Sequence, residues 1–368
     1  MNEKCKSCKK AARNILRKVW KAIKQWLHAL GFEVIRNQSR ALHVGGMLPA
    51  NDFSKYLQFP GFEKVGIVIQ GPMDRNNDFT INTIKQLRYM YPDIKIVLST
   101  WTGEVTNGDR LLLNKLNCNL IVNDSLPAEN KGFGRKVGHL NNQLLSSIDG
   151  ITFLKQQGAE FVMKMRTDTR LYKNDFIPYL FNLIHVCPCE KSNQNFRLIN
   201  VAFSNNLVSV PFFMSDFIWF GAIEDMERLY SIPTREEKDL VMLQNLSEEQ
   251  LRANIGKSFS HAHEYQLNQM LESEKWTEEE QYIYYNYREE AYITHTYAIR
   301  TQLCEGTEYP MQAYYQFLKD YIIVVDETEL MAYFDKYDYS ENSAVYSPAW
   351  AQLTHSMWLD IMLNYKTQ

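Results

Sequence analysis

Between residues 62 and 170 one order recurs: a short apolar, largely β-branched run, a polar turn, then a stretch with helical spacing. Val65-Gly-Ile-Val-Ile69 reads as a buried strand closed by Gln70-Gly71-Pro72, and Ile81 to Met90 as a helix ending before Pro92. Ile94 to Thr100 and Asn119 to Val122 read as further strands, His139 to Ile151 as a helix, and Phe161 to Met165 as the next strand. Strands alternating with helices pack as a mainly parallel sheet covered by helices, so the fold class is α/β.

Ligands of such sheets gather beyond the carboxyl ends of the parallel strands. Three polar clusters fall there: Gln70-Gly71-Pro72, Ser99-Thr100-Trp101 and Arg166-Thr-Asp168-Thr-Arg170. Gly71 lets backbone approach a ligand closely and Pro72 fixes the exit. No phosphate-loop motif is present, and Lys131-Gly-Phe-Gly-Arg135 lacks the third glycine and the acid of a dinucleotide fingerprint. That stretch reads as a basic loop or a solvated turn. Asp168 offers a hard oxygen ligand, while Arg166 and Arg170, of the same strand parity, could meet phosphate or hold that carboxylate. A divalent ion on one carboxylate needs diphosphate oxygens and water, so metal and donor would bind together. An Arg–Asp network closing a loop is the structural alternative.

After the strand Leu198 to Phe203, Asp216 stands in an aromatic run where it could contact sugar hydroxyls while Phe217 or Trp219 packs on a sugar's apolar face. The aromatics are equally core candidates. Glu278 to Glu280, with Glu289 and Glu290, reads as a solvated acidic stretch. Ser260-His-Ala-His263-Glu264-Tyr265 opens an expected helix over Glu264 to Leu271, with Glu264 a candidate acceptor-side base and helix capping the alternative. No H-E-x-x-H occurs, which excludes the zinc-protease pattern.

The overall charge is -3, from 40 basic and 43 acidic side chains, so the whole molecule lacks the positive field of a nonspecific nucleic-acid binder. Positive charge is instead concentrated in residues 1–30, with nine Lys or Arg and one acid, Glu3. On a helical projection Leu16, Val19, Trp20, Ile23, Trp26, Leu27 and Leu30 share one side and Lys10, Arg13, Arg17, Lys21 and Lys24 the other. An N-terminal amphipathic helix of this kind suits an anionic membrane surface; packing on the body or on a second subunit is the other reading. Charge interrupts every apolar run, so neither a secretory signal nor a membrane span is expected. The six cysteines lack the regular spacing of a secreted framework, which points to a reducing, cytoplasmic setting. The expected organisation is a membrane-association helix over 1–30, a linker over 31–61, a catalytic domain over 62–340 and a C-terminal helical extension over 341–368.

Several of these segments carry a family resemblance. Val68-Ile-Gln-Gly-Pro72, Tyr91-Pro92 with Ile96-Val-Leu-Ser-Thr-Trp101, Lys164-Met-Arg-Thr-Asp-Thr-Arg170, and Ser215-Asp216 with Phe220-Gly221 resemble the WavE lipopolysaccharide synthesis family, bacterial glycosyltransferases with a GT-A-like nucleotide-sugar fold. Glu264-Tyr265, and Val324-Val-Asp326 with Lys336-Tyr337, match more loosely. The resemblance implies a mixed, mainly parallel sheet flanked by helices. It also implies sugar transfer from a nucleotide-sugar donor to a glycan or glycolipid acceptor of lipopolysaccharide, lipooligosaccharide or capsule type, at the inner face of the cytoplasmic membrane. Asn141 and Gln143 match polar positions of the helix before the metal-site strand, while His139 and Asn142 depart from the usual Asn and Arg. Within that reading the nucleotide lies beyond Gln70 and Thr100, Asp168 faces the diphosphate with Mg²⁺ or Mn²⁺, and Glu264 takes the acceptor's proton if the reaction inverts. A retaining enzyme would leave Glu264 as an acceptor ligand. The full Asp-x-Asp of related folds is absent. A sugar nucleotidyltransferase and a noncatalytic envelope scaffold are the alternatives.

Overall fold

The computed structural model describes residues 59–127, 129, 138–189, 194–203, 206–208, 210–247, 249–250, 275–302, 309–335 and 352–365, with the strands β1 (Phe32–Arg36) and β2 (Leu42–Gly46). β1 and β2 pair antiparallel within the span expected as a linker. The amphipathic-helix expectation for residues 1–30, the basic stretch Lys131 to Lys136 and the helix expected at Glu264 lie outside the described residues.

The body is built on a seven-stranded sheet. Its strands are β3 (Val65–Gln70), β4 (Lys95–Trp101), β5 (Cys118–Asn123), β6 (Phe161–Arg166), β8 (Leu198–Ala202), β9 (Ile218–Ala222) and β10 (Ile322–Asp326), in the order β10-β8-β9-β6-β3-β4-β5. β9 runs antiparallel to both its neighbours, and the other pairings are parallel. This is the mixed, mostly parallel sheet expected for an α/β chain. Every residue of β3 is buried, as in a strand covered on both faces, whereas the outer strand β5 is mostly half-buried.

Helices α1 (Phe79–Met90), α2 (Asn107–Lys115), α3 (Leu140–Gln156), α4 (Phe176–Val186) and α5 (Ile223–Tyr230) connect these strands. α3 lies close on β3, since a Cβ at Gly66 would stand 2.6 Å from Leu154 Cδ1 and one at Gly150 would stand 2.5 Å from Val68 Cγ1. That contact brings the first turn of α3 over the strand ends. Helices α6 (Glu237–Asn245), α7 (Glu278–Tyr287), α8 (Glu289–Arg300), α9 (Pro310–Tyr321) and α10 (His355–Asn364) complete the described helices. In α10, within the expected C-terminal extension, buried Trp358 donates from Nε1 to Leu318 O at 3.0 Å, tying this helix to α9.

Two short strands seal the site. β7 (Thr169–Leu171) follows β6 after a two-residue turn and pairs antiparallel with β11 (Ala332–Phe334), which sets Asp335 N to donate to Asp168 O at 2.9 Å. Among the described residues no helix is long and apolar enough to cross a membrane.

Candidate active site

Parallel strands that stop at one level leave a groove above their carboxyl ends, and here it is a cleft of about 850 Å³. Its lining includes Gln70, Gly71, Pro72, Gln143, Arg166, Asp168 and Asp216, so the structure brings together most of the site residues expected from the sequence.

The floor is held by backbone. Gly71, at φ 117°, donates from N to Ser99 O at 3.1 Å, and Thr167 N donates to Gln70 O at 3.0 Å. Thr167 Oγ1 donates to Pro72 O at 2.6 Å, and a Cβ at Gly71 would sit 3.2 Å from that hydroxyl oxygen. Glycine there keeps the strand-end turn close to the β6–β7 turn. Buried Gln70 is held from α3, its Oε1 accepting from Ser146 Oγ at 2.8 Å.

Arg166 stands at the centre. Its Nε and Nη2 donate to Asp168 Oδ1 and Oδ2 at 3.0 and 2.9 Å, a two-pronged pair. Its Nη1 lies 3.7 Å from Asp216 Oδ2, and the Phe217 and Phe334 rings flank it at 5.0 Å each. Asp216 Oδ2 also accepts from Gln143 Nε2 of α3 and lies 3.7 Å from Lys164 Nζ. The turn carrying Asp216 is fixed from beneath: Asn200 Nδ2 and Trp219 Nε1 donate to Ser215 O at 2.7 and 2.8 Å, and Ser215 N donates to Asn206 Oδ1 at 2.6 Å.

Other expected residues lie elsewhere. Arg170 is buried between β7 and α1, donating to Phe79 O at 2.7 Å and to Thr83 Oγ1 at 2.8 Å, with the Phe79 ring 4.1 Å away. The Thr167–Asp168 turn breaks the strand parity that would have set Arg170 beside Arg166. Thr100 is buried and Asn141 exchanges hydrogen bonds with the Arg235 backbone at 3.0 and 2.8 Å; neither lines the cleft. Glu264 lies outside the described residues.

The cleft also holds residues the sequence reading passed over. Glu289 and Glu290, read as solvated, line it from the first turn of α8. Buried Arg235 sets that turn: it pairs with Glu129, lies 3.3 Å from Glu289 Oε1 and donates to Asn286 O at 2.6 Å. Asp74 and Asp335 line the cleft near Asp168, Asp335 accepting from Asn76 Nδ2 at 2.6 Å. Burial pushes the Asp74 carboxyl above its ordinary range, and the nearby Asp335 and Asp168 charges add to the rise. The available signal was position: Asp74 stands two residues beyond Pro72 of the first strand-end turn.

Six carboxylates and one guanidinium therefore face the cleft among its described residues. Both Asp168 oxygens are taken by Arg166, and among the described residues no group of three or more His, Cys, Asp or Glu side chains could hold an ion.

The family model for WavE lipopolysaccharide synthesis matches residues 65–365, nearly the whole described body. The chain belongs to this family. No curated protein matches the WavE-family chain. Among solved structures it is similar to a cytidylyltransferase from Leptospira borgpetersenii serovar Hardjo-bovis (13% identity, 50% of this chain and 71% of that one, TM-score 0.29). It is also similar to a mannosyltransferase from Pyrobaculum calidifontis solved with GDP-Man and Mn²⁺ (11% identity, 64% and 73%, TM-score 0.30). At TM-scores this low neither likeness bears on activity.

Proposed function

We propose that this WavE-family chain is a nucleotide-sugar-dependent glycosyltransferase acting on a lipopolysaccharide, lipooligosaccharide or capsule-type acceptor. The observation that carries the reading is the cleft itself: a carboxylate-rich groove at the carboxyl ends of parallel strands, in a chain whose residues 65–365 belong to a lipopolysaccharide-synthesis family. Carboxylates accept hydrogen bonds from sugar hydroxyls, and Trp101 in the cleft lining adds an apolar face, whereas Phe217 is buried in the core beside Arg166.

In this reading the donor lies over Gln70, Gly71 and Pro72, with Arg166 toward its diphosphate. The acceptor hydroxyl oxygen attacks the anomeric carbon, the bond from that carbon to the phosphate oxygen breaks, and the nucleotide leaves with the bonding electrons. The hydroxyl proton passes to a carboxylate. Glu264 is the candidate named from sequence, and Glu290 is the candidate that the cleft adds. With six carboxylates to one guanidinium among the described residues of the cleft, a diphosphate there calls for added positive charge, and Mg²⁺ or Mn²⁺ arriving with the donor is our reading of its source. No step here is routed through that ion. The basic arm, residues 1–30, would hold the enzyme peripherally on the inner face of the bacterial cytoplasmic membrane.

The test is product analysis of the full chain with UDP-, GDP-, dTDP- and CMP-sugars and a lipooligosaccharide acceptor. Free nucleotide together with a new glycoside supports transfer. Pyrophosphate release from sugar phosphate and nucleoside triphosphate would replace it with nucleotidyl transfer, and no turnover with any pair would favour a scaffold.

A further inference from the structure

Nothing in the transfer step calls for a lysine in the middle of β6, yet Lys164 is 0% exposed there. A buried ammonium is costly unless it is paired, and an apolar side chain would fill a central strand at less cost. Lys164 Nζ donates to the backbone carbonyl of Asp216, lies 3.7 Å from Asp216 Oδ2 and stands 5.6 Å from the centre of the Tyr230 ring.

The Ser215–Phe217 turn does not need that ammonium. Asn200, Asn206 and Trp219 already hold the Ser215 backbone, and Phe217 N donates to Ser215 Oγ at 3.2 Å. The Asp216 carboxylate is another matter. At 7% exposure the groups facing it decide which oxygen turns inward. Oδ2 faces Gln143, Lys164 and Arg166, whereas Oδ1 has no hydrogen bond from the described residues and belongs to a side chain that lines the cleft.

We propose that Lys164 is a positioning residue that holds the Asp216 carboxylate with Oδ2 turned into the protein and Oδ1 presented to a hydroxyl of the sugar in the cleft. The proposal rests on the glycosyltransferase reading and deepens it: a site built to accept from one sugar hydroxyl rejects the deoxy analogue, because the buried carboxylate is then left unpaired.

Burial lowers the Lys164 pKa to about 8, against the raising effect of Asp216 and Asp168; Arg166 adds to the lowering. The facing Tyr230 phenol, pushed up by its own burial, stays neutral, and Gln143 carries no charge. As pH rises through about 8 the clamp loses its charge and turnover falls. Stability moves the other way: between about 8 and the ordinary 10.5 the unfolded chain binds the proton and the folded chain does not, so folding is favoured by rising pH. A purely structural lysine would move activity and stability together.

The experiment compares wild type, Lys164→Met, Asp216→Asn and the double variant, using the nucleotide sugar that releases free nucleotide in the product assay. Each single change is expected to lower kcat/KM about 10²-fold, the double change no more than twofold beyond Asp216→Asn, and Lys164→Met to lose the alkaline decline. Multiplying effects in the double variant, or a retained decline in Lys164→Met, overturns the proposal. The same four proteins are unfolded by urea at pH 7 without ligand, which separates this inference from the transferase reading. If no nucleotide sugar turns over, the transferase reading falls and the urea series decides the clamp. Asp216→Asn destabilising far less when Lys164→Met is already present than when Lys164 is intact supports the pairing, and equal destabilisation removes it.

Discussion

Arg166 and its two carboxylate neighbours concentrate the residue-scale chemistry, because one guanidinium flanked by aromatic rings holds Asp168 in a two-pronged pair and lies 3.7 Å from Asp216. Asp168→Asn keeps the volume and one acceptor oxygen while removing the charge, so Arg166 loses half of its two-pronged partner. Turnover is expected to fall about 10²-fold with the melting transition little changed. A near-normal rate at saturating substrates would remove Asp168 from the site, and a large loss of thermal stability would make the Arg166–Asp168 pair structural. Much of this cluster was legible in the sequence, since polar residues directly after buried strands mark strand ends. Arg170 was not legible as a core residue: alternation places residues 166, 168 and 170 on one side only while the strand continues, and the turn at Thr167–Asp168 ends that continuity. Lys164 carried a signal that spacing arguments overlook, a charge inside an otherwise apolar strand.

Elements differ in legibility for a related reason. β3, β4 and β6 announce themselves because apolar runs bounded by turns have few other solutions, whereas the placement of α8 depends on tertiary contacts that no local pattern encodes. Arg235 supplies them, fully buried and shared between Glu129 before α3 and Glu289 at the start of α8. Arg235→Leu should leave Glu129 as a buried, uncompensated charge and cost about 3–5 kcal/mol in urea unfolding. A loss under about 1 kcal/mol would show that packing of α7 and α8 suffices without the network. With α8 in place, Glu290 reaches the cleft from its first turn. Glu290→Gln and Glu264→Gln then compete for one role. The variant lacking the base should bind the donor nearly as well as wild type while kcat falls at least about 10²-fold, since an amide cannot take the acceptor's proton. Loss of donor affinity with kcat preserved would instead assign that residue to substrate binding.

At the scale of the whole molecule the charge is sorted: nine basic side chains and one acid stand in residues 1–30, while the total is -3, so the remainder is net acidic. An acidic body is repelled by an anionic bilayer, so attachment to one must come from the arm. Removing residues 1–30 should therefore reduce recovery on anionic vesicles, with nucleotide release from the donor nearly unchanged when the acceptor is short and soluble, and transfer to a membrane-bound acceptor weakened. Salt separates the two components of attachment. Screening shortens the reach of Lys and Arg to about 3 Å at 1 M ionic strength, whereas insertion of an apolar face persists. Trp20→Ala with Trp26→Ala should thus weaken binding even at high salt, and charge reversal at Arg17 and Lys21 mainly at low salt and on anionic lipid. Equal vesicle recovery of the full and shortened chains would reject the anchor. Conversion of an oligomer to a monomer on truncation would reassign the same apolar face to packing between subunits.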